Sequence, residues 1–516
     1  MSIPRSRQAP PGPKPSAGDP GLRTGVLGFP TLLAQSIALI SPTMTAVLIV
    51  PLAFSDAGQG TWLAYAFATV MLSFVVMNLN QFSRRSALAG SMYAYTGRGL
   101  GPKGGVFSGW ALLWSYGFIA IAGLSGFAIF TNQFLSAIGV HRAVPSVVLF
   151  AISAALCGLV AYRDIRLSSM LAFVFEGISV ALILGLCFVV LFHHGFTVDT
   201  NQVTLKGVGL NDMNLAVVVC IFSLVGFESA TALGGEARDA LRSVPRAVIW
   251  SLALTGLFFV VVSYVEVFGT RDLGTSLANL SAPLNTLADA EHVGYFKAPI
   301  SLGAAVSFFS LSLSCINAGS RILFPMARHG VFPRQLGACH RRNQTPHIAI
   351  GVFTLAVFLV PTVMQLFTDP LTTFGDAGTL AAFGFLLAYF MISIAAPMLL
   401  RKRGELTRRG LVVSGLAITA LLVPTVGSFY PAPSYPILLF PYYFVGYMLI
   451  GVVWLSLVGR RQPGVLADIE ADLERVPEVP SPSHSKPPIT SLASAPHEVA
   501  NTGANRSTGG VPAHDR

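Results

Sequence analysis

The sequence Ser41-Pro42-Thr43-Met44-Thr45 lies at the midpoint of an apolar run that spans residues 28–54. Pro42 has no backbone N–H and its ring clashes with the carbonyl of Ala38, so a helix is expected to kink or break here. Within a membrane, a broken helix is tolerated only where protein or a water-filled cavity supplies the missing hydrogen-bond partners. From this segment alone, a simple proline kink and a functional break are equally consistent.

A second candidate break, Phe222-Ser223-Leu224-Val225-Gly226, lies near the middle of the apolar run 213–235. Gly226 weakens the helix because it has no side chain to restrict its backbone. The two runs are the first and the sixth of twelve. If helices 1–5 and 6–10 are two repeats of opposite orientation, the breaks occupy equivalent positions, an arrangement typical of solute-binding sites in membrane proteins.

The composition indicates an all-α membrane protein in a lipid bilayer. Of the 516 residues, 53% are hydrophobic and 11% are charged, whereas roughly a quarter of the residues are charged in a soluble domain. A membrane-spanning helix needs about 20 apolar residues. We predict twelve spans, at residues 28–54, 61–79, 105–134, 146–162, 167–192, 213–235, 247–268, 298–327, 347–367, 377–400, 411–429 and 436–458.

The positive charge is distributed unevenly between alternate connections. The N-terminal tail and every second connection after it hold 24 lysines and arginines, whereas the other connections hold four. Basic connections stay in the cytoplasm, so both termini of this multi-pass cell-membrane protein are predicted to be cytoplasmic. The net charge of +10 is therefore explained by the predicted orientation in the membrane, and a nucleic-acid partner is disfavoured. Residues 1–26 and 459–516, rich in proline or serine, are predicted to be flexible tails around a membrane domain at 27–458.

Four ionisable residues lie inside the predicted spans: Glu176, Glu228, Glu266 and Arg321. Such residues are costly in a membrane and indicate functional sites by default. Glu266 and Arg321 lie near span ends, where solvation and snorkelling explain them. Glu176 and Glu228 lie deeper, and we identify them as candidates for proton coupling or gating.

The two breaks also predict which chemical groups face the site. If the outer half of helix 1 begins near Met44-Thr45-Ala46, its free N–H groups suit a carboxylate. Unpaired carbonyls at residues 38–41 and 222–225 suit an ammonium group. The predicted site is therefore a backbone receptor for a zwitterion.

Three groups of motifs resemble the amino acid–polyamine–organocation superfamily of permeases, over roughly residues 28–458. The first is Ala89-Gly90-Ser91-Met92-Tyr93-Ala94-Tyr95 with Gly101-Pro102 and Gly109-Trp110. The second is Gly226-Phe227-Glu228-Ser229-Ala230 with Glu236-Ala237 and Val244-Pro245-Arg246-Ala247. The third is Ser320-Arg321, then Met326-Ala327-Arg328-His329-Gly330-Val331-Phe332-Pro333 and Thr345-Pro346. Their order within twelve spans makes the resemblance specific.

The resemblance implies a 5+5 inverted repeat of the leucine-transporter type with two further C-terminal helices. It implies alternating-access transport of an amino acid or related small amine. It places the substrate carboxylate on Thr43, Met44, Thr45 and Ala46, and the amine on backbone near Ile40, Phe222 and Val225. Ser223 and Gly226 belong to the same break, Phe222 also gates the site, and Trp114 of helix 3 faces it.

Two departures from the family pattern leave alternatives open. Met44-Thr45-Ala46 occupies the place of the usual Gly-Ser-Gly, and helix 5 has no lysine but carries Glu176. Proton symport, amine exchange without net ion coupling and a transporter-like solute receptor remain as hypotheses, and the coupling ion, H⁺ or Na⁺, is open. No metal-ligand cluster, catalytic triad or phosphate-binding loop is evident in the sequence, so neither an enzyme nor a cofactor is predicted.

Overall fold

The computed structural model describes residues 22, 24–86, 91–163, 165–280, 282–430 and 435–475. Eleven helical segments of this part of the chain are long and apolar enough to cross a membrane. The first of them, Phe29–Ser83, contains two successive helices separated by a short turn at Gly58–Gly60. The eleven segments therefore contain twelve spanning helices within the described residues, the number predicted from the apolar runs.

Helix 1 consists of Phe29–Ile40 and residues 42–57, which are called its inner and outer halves after the predicted orientation. In the same sense, helix 6 consists of an outer half, Leu210–Leu224, and an inner half, the 3₁₀-helix Phe227–Glu236. Helices 2 to 5 are Thr61–Ser83, Pro102–Ala137, Ser146–Arg163 and Ile165–His193. Helices 7 to 12 are Ala240–Thr270, Lys297–Arg328, His347–Met364, Pro370–Lys402, Arg408–Gly427 and Phe440–Arg461.

Helices 3 and 8 pack closely through small residues. A Cβ atom at Gly126 would lie 2.3 Å from a ring atom of Phe308, and one at Gly123 would lie 2.2 Å from the hydroxyl of Ser312. Small residues allow close helix packing in membranes, where the hydrophobic effect gives little drive for association. Glycine at these two positions therefore holds helix 3 against helix 8 beside the broken helices.

Helix 10 begins with a side-chain cap. The carboxylate of Asp369 accepts hydrogen bonds from the amides of Leu371 and Thr372, at 2.8 and 3.1 Å. The hydroxyl of Thr372 also donates to it, and this bond lowers the pKa of the Asp369 carboxyl. A capping aspartate followed by Pro370 at the first helical position fixes where the helix starts.

The chain continues in ordered structure beyond the last membrane helix. A separate helix, Val465–Arg475, here called the terminal helix, buries Val465, Ile469 and Leu473. Its four-residue spacing of apolar residues marks one packed face. The prediction of disorder is therefore wrong for residues 459–475, because compositional bias in the longer tail obscured this short amphipathic pattern.

Several sequence predictions fall on residues outside the described ranges. They are the flexible tail at residues 1–21, the tail at 476–516, and the motif residues Ala89 and Gly90. Ser91, the next residue of that motif, begins the helix Ser91–Leu100 between helices 2 and 3. Arg98 of this helix donates to the carbonyl of Leu473 at 2.6 and 3.0 Å and so caps the terminal helix.

Candidate functional site

Helix 1 breaks at Ser41, one residue before the proline. Ser41 has φ 51° and ψ 75°, in the left-handed region, and its amide donates to the carbonyl of Ile37 at 2.9 Å. Pro42 starts the outer half, which suits proline because the first helical residue needs no N–H donor. The predicted break is confirmed, but the outer half begins at Pro42 rather than near Met44. The stretch Thr45–Ile49 then forms a π-helix, a distortion frequent at functional sites.

The amino end of the outer half is capped by a carboxylate from helix 5. The amide of Thr43 donates to Oε1 of Glu176 at 3.0 Å, and the hydroxyl of Thr43 donates to Ser179 at 2.8 Å. The hydroxyl of Ser307 donates to Oε2 of Glu176 and lies 3.2 Å from that of Ser41. Glu176 is 1% exposed. A carboxylate therefore already occupies the helix end predicted to hold a substrate carboxylate.

Helix 6 breaks at Val225 and Gly226. Val225 is extended, and Gly226 has φ 103°, a left-handed conformation that favours glycine. A Cβ atom at Gly226 would lie 2.2 Å from Cδ2 of Leu39, so any other residue here would also displace this side chain of helix 1. Below the break, the hydroxyl of Ser36 donates to the carbonyl of Phe227 at 2.8 Å. The two predicted breaks therefore lie side by side.

Glu228 is buried two residues after Gly226, next to the break in helix 6. Tyr116 of helix 3 donates to Oε1 at 2.7 Å, and Tyr389 of helix 10 donates to Oε2 at 2.6 Å. The amide of Gly226 also donates to Oε2, at 3.1 Å. Both oxygens thus accept hydrogen bonds, and Glu228 links the break to helices 3 and 10.

The remaining predicted residues of helix 1 are buried around the break. Ile40, Met44 and Ala46 are at most 2% exposed. The hydroxyl of Thr45 is buried and has no hydrogen-bond partner within the described chain. An unsatisfied buried hydroxyl is costly, so Thr45 is a candidate to bond a ligand.

In the outer half of helix 6, two predicted residues face other helices. The ring of Phe222 lies against Gly378 of helix 10, where a Cβ atom would be 2.6 Å from Cζ. The hydroxyl of Ser223 lies 3.4 Å from that of Tyr65 in helix 2. Phe222 therefore lies between helices 6 and 10, whereas Ser223 is directed to helix 2.

The prediction that Trp114 faces the site is wrong. Its indole N–H donates to the carbonyl of Leu380 at 2.7 Å, and its ring lies 4.6 Å from that of Tyr447 in helix 12. Tyr116, two residues further along helix 3, is the residue that reaches the break. Sequence reasoning missed Tyr116, Tyr389 and Ser307, because their partners lie more than 100 residues away and no local pattern distinguishes them.

Two expectations about charged residues near span ends are also wrong. Arg321 does not snorkel: it is fully buried and forms an ion pair with Glu236, which is 1% exposed. Glu266 is fully buried, and neither carboxylate oxygen has a hydrogen-bond partner among the residues described. Distance from the span end therefore did not predict burial at either position.

The inner end of helix 6 is fastened to its surroundings. The amides of Val26 and Leu27 both donate to the carbonyl of Glu236, at 3.0 and 3.1 Å. Thr231 shares a hydrogen bond of 2.7 Å with Ser91. With the ion pair to Arg321, these contacts hold the inner half of helix 6 against helix 8, the segment before helix 1 and the helix Ser91–Leu100.

Known proteins resemble the chain along most of its length. The family model described as "Amino acid permease" matches residues 32–457. The branched-chain amino acid permease BcaP of Lactococcus lactis is 27% identical over 402 residues, which cover 74% of this chain and 83% of that protein. The low-affinity putrescine importer PlaP of Escherichia coli is 25% identical over 336 residues, 62% of this chain and 71% of that protein.

The fold is similar to that of a Na⁺-coupled sialic acid symporter in a substrate-bound outward-open state. The TM-score is 0.50, and the match covers 78% of this chain and 90% of the other. At 14% sequence identity, the likeness shows the fold alone.

Proposed function

The chain belongs to the amino acid permease family, and from this premise we propose that it moves an amino acid or related small amine by alternating access with proton symport. Family membership confirms the resemblance noted from the motifs. It also confirms the predicted all-α class with the leucine-transporter type of inverted repeat. The matched relatives are permeases and transporters, so the chain is a membrane transporter and not an enzyme.

One observation carries the proposal: helices 1 and 6 break side by side at mid-length. The inner half of helix 1 ends at Ile40, and the first part of helix 6 ends at Leu224. The last carbonyls of a helix have no intrahelical donor. Carbonyls near Ile40 and near Phe222 and Val225 would therefore receive the ammonium group. This chemistry agrees with the substrates named for two relatives, branched-chain amino acids and putrescine.

The amino end of the outer half of helix 1 would receive a carboxylate, when the substrate has one. The proposed contacts are Thr43, Met44, Thr45 and Ala46. In the present conformation the Thr43 amide is engaged by Glu176. A substrate carboxylate and an ionised Glu176 would compete for the same positive helix end and would repel each other.

This competition gives a physical route to proton symport. Protonation removes the charge of Glu176, weakens its hold on Thr43 and removes its repulsion of the substrate carboxylate. Proton and substrate then favour each other's binding, and linkage makes this coupling reciprocal. Glu228 accepts hydrogen bonds from Tyr116 and Tyr389 and is proposed as a second gating residue. Through these bonds, movement of helix 6 would be coupled to helices 3 and 10.

The proposed orientation places both termini and the terminal helix in the cytoplasm, with residues 27–458 as the transport unit of the cell membrane. The helix Ser91–Leu100 and the terminal helix lie at one face, because Arg98 caps the latter. The connections of this face carry most of the lysines and arginines, which supports a cytoplasmic location.

The test begins with the purified full-length protein and a thermal-shift screen of amino acids and amines. A ligand that binds the folded state raises the melting temperature according to its occupancy. A ligand that raises the melting temperature is then supplied to proteoliposomes with and without an inward proton gradient. Proton symport predicts uphill accumulation that a protonophore abolishes.

Three other outcomes would overturn the proposal in part or whole. Uptake that internal substrate accelerates, without dependence on the proton gradient, would indicate amine exchange. Uptake driven by a sodium gradient alone would show that the coupling ion is Na⁺ and not H⁺. Binding without flux would indicate a transporter-like receptor.

A further inference from the structure

A lateral groove of about 530 Å³ opens on the membrane-facing surface between helices 3 and 12. Its apolar walls come from both helices and from Met391 of helix 10, with Leu466 of the terminal helix at one end. The wall residues are Val106, Phe107, Trp110, Val452 and Leu455. At Gly451 a Cβ atom would lie 2.8 Å from the Trp110 indole nitrogen, so the glycine brings helix 12 against helix 3 and leaves the groove beside them.

One end of this groove is cationic. Lys103, which lines the groove near the start of helix 3, is exposed. Arg460 and Arg461 end helix 12 directly after the lining residue Gly459 and are also exposed. In the part of the chain that the structure describes, none of the three cations has a hydrogen-bonded or ion-pair partner.

No aspartate or glutamate is among the described residues that line this groove. Asp468 and Glu470 of the terminal helix are exposed, whereas the residue of that helix that lines the groove is Leu466. The groove is thus apolar along its length and cationic at one rim. This polarity matches an amphiphile with a negatively charged head.

We propose that the groove binds one anionic phospholipid of the leaflet that meets the terminal helix. An acyl chain would lie between helices 3 and 12, and the phosphate would lie between Lys103 and Arg460. Basic pockets between membrane helices are known to hold anionic head groups. Lysine can extend its apolar stem along the groove while its ammonium group reaches the head-group layer.

Two other lateral grooves provide a contrast. One of about 400 Å³ lies between helices 5 and 7 and reaches Pro42 and Glu176 at the break in helix 1, and one of about 560 Å³ lies between helices 4 and 9. Neither has a lysine or arginine among its lining residues. Neither groove therefore offers a cation to a lipid head group, whereas the groove at Lys103 does.

The groove lies where helices 3, 10 and 12 meet the terminal helix. Trp110 stacks on Phe332, with ring centres 5.3 Å apart, and donates to the carbonyl of Tyr447. A bound lipid would therefore bridge helices 3, 10 and 12 and the terminal helix.

The experiment compares the full-length protein in nanodiscs of phosphatidylcholine alone and with added phosphatidylglycerol. Native mass spectrometry counts retained lipids, and thermal unfolding measures their effect. Gly459→Phe is designed to fill the groove, since a Cβ atom there meets nothing within 4 Å. Gly446→Phe is the matched control on the same helix, with equally open space and no place in the groove.

The charge is tested separately with the double variant Lys103→Ala/Arg460→Ala. Its control is Arg408→Ala/Arg409→Ala, which removes two exposed cations from the start of helix 11. We expect one retained phosphatidylglycerol and a raised melting temperature in the wild type and both controls. Gly459→Phe should lose the lipid. The Lys103/Arg460 variant should bind it about 25-fold more weakly, because each cation near the surface contributes roughly a factor of five.

Three results would overturn the proposal. Equal retention of phosphatidylcholine and phosphatidylglycerol would show that the groove takes any acyl chain. An equal phosphatidylglycerol effect in all variants would show a diffuse surface-charge effect. A dimer that only Gly459→Phe disrupts would show that a second copy of the chain occupies the groove.

Discussion

Replacing Glu176 by glutamine is expected to raise the affinity for an amino-acid substrate at neutral pH and to remove most of its pH dependence. The carbonyl oxygen of glutamine can still accept from the Thr43 amide, and its NH₂ group can donate to the Ser307 hydroxyl, which now donates to Glu176, so both contacts can persist with the second one reversed. The replacement removes only the negative charge at the amino end of the outer half of helix 1. The variant therefore mimics the protonated form of the proposed coupling residue.

The size of the effect follows from the geometry of this helix end. Glu176 lies 3.0 Å from the Thr43 amide, so a substrate carboxylate bound at the same end would lie within roughly 5 Å of it. Two negative charges at about 5 Å repel each other by about 3 kcal/mol at an effective dielectric constant near 20. This energy corresponds to roughly two orders of magnitude in the dissociation constant.

The assay is equilibrium binding to the purified protein between about pH 5 and 8, followed by proteoliposome uptake. The wild type should bind more tightly as the pH falls, because protonation removes the repulsion. Glu176→Gln should bind tightly throughout, retain counterflow and fail to accumulate substrate on a proton gradient. Glu228→Gln is the comparison variant, and loss of pH dependence there with its retention in Glu176→Gln would assign the coupling to Glu228 and refute this reasoning.

Three further predictions concern contacts around the site and at the inner face. Gly226→Ala should abolish uptake and lower the melting temperature, because the left-handed backbone alone costs roughly 1–2 kcal/mol and the added methyl group meets helix 1; a variant with wild-type uptake would contradict the close packing. Glu236→Gln should destabilise the protein by about 3–5 kcal/mol, because it leaves Arg321 charged and unpaired in the interior; thermal unfolding measures this, and the double variant Glu236→Leu/Arg321→Met should recover most of the loss. Ile469→Asp should release the terminal helix and expose it to limited proteolysis, whereas Ala471→Asp on its exposed face should not; equal cleavage in both would argue against docking.

Local features of the sequence predicted the fold well. Apolar runs are long enough to give each spanning helix, and proline and glycine disturb a helix whatever surrounds it. The breaks at Ser41–Pro42 and Val225–Gly226 were therefore predictable, with an error of about two residues in where the outer half of helix 1 begins. The terminal helix was missed because four large apolar residues in eleven give a weak signal next to a polar tail.

Pairings between distant residues could not be predicted in the same way. The contact between Thr43 and Glu176 joins residues 133 positions apart, and that between Tyr116 and Glu228 joins residues 112 apart. Both depend on the rotation of each helix about its axis, which helix 3 illustrates. Its face at Tyr116 meets the break, whereas Trp114 is turned toward helices 10 and 12, and the apolar pattern of a fully buried helix does not distinguish these faces.

The buried carboxylates differ in what compensates their charge, and this difference separates their roles. Glu236 is paired with a cation, so its loss should appear mainly as lost stability. Glu228 accepts only neutral hydrogen bonds from three helices, so its loss should alter how the break is held and hence the rate of the conformational change. Glu176 alone binds a helix end that a substrate carboxylate can also use. A charge that competes with the substrate changes affinity with pH, whereas a charge that only holds structure changes stability, and measuring both quantities in each variant therefore separates coupling from scaffolding.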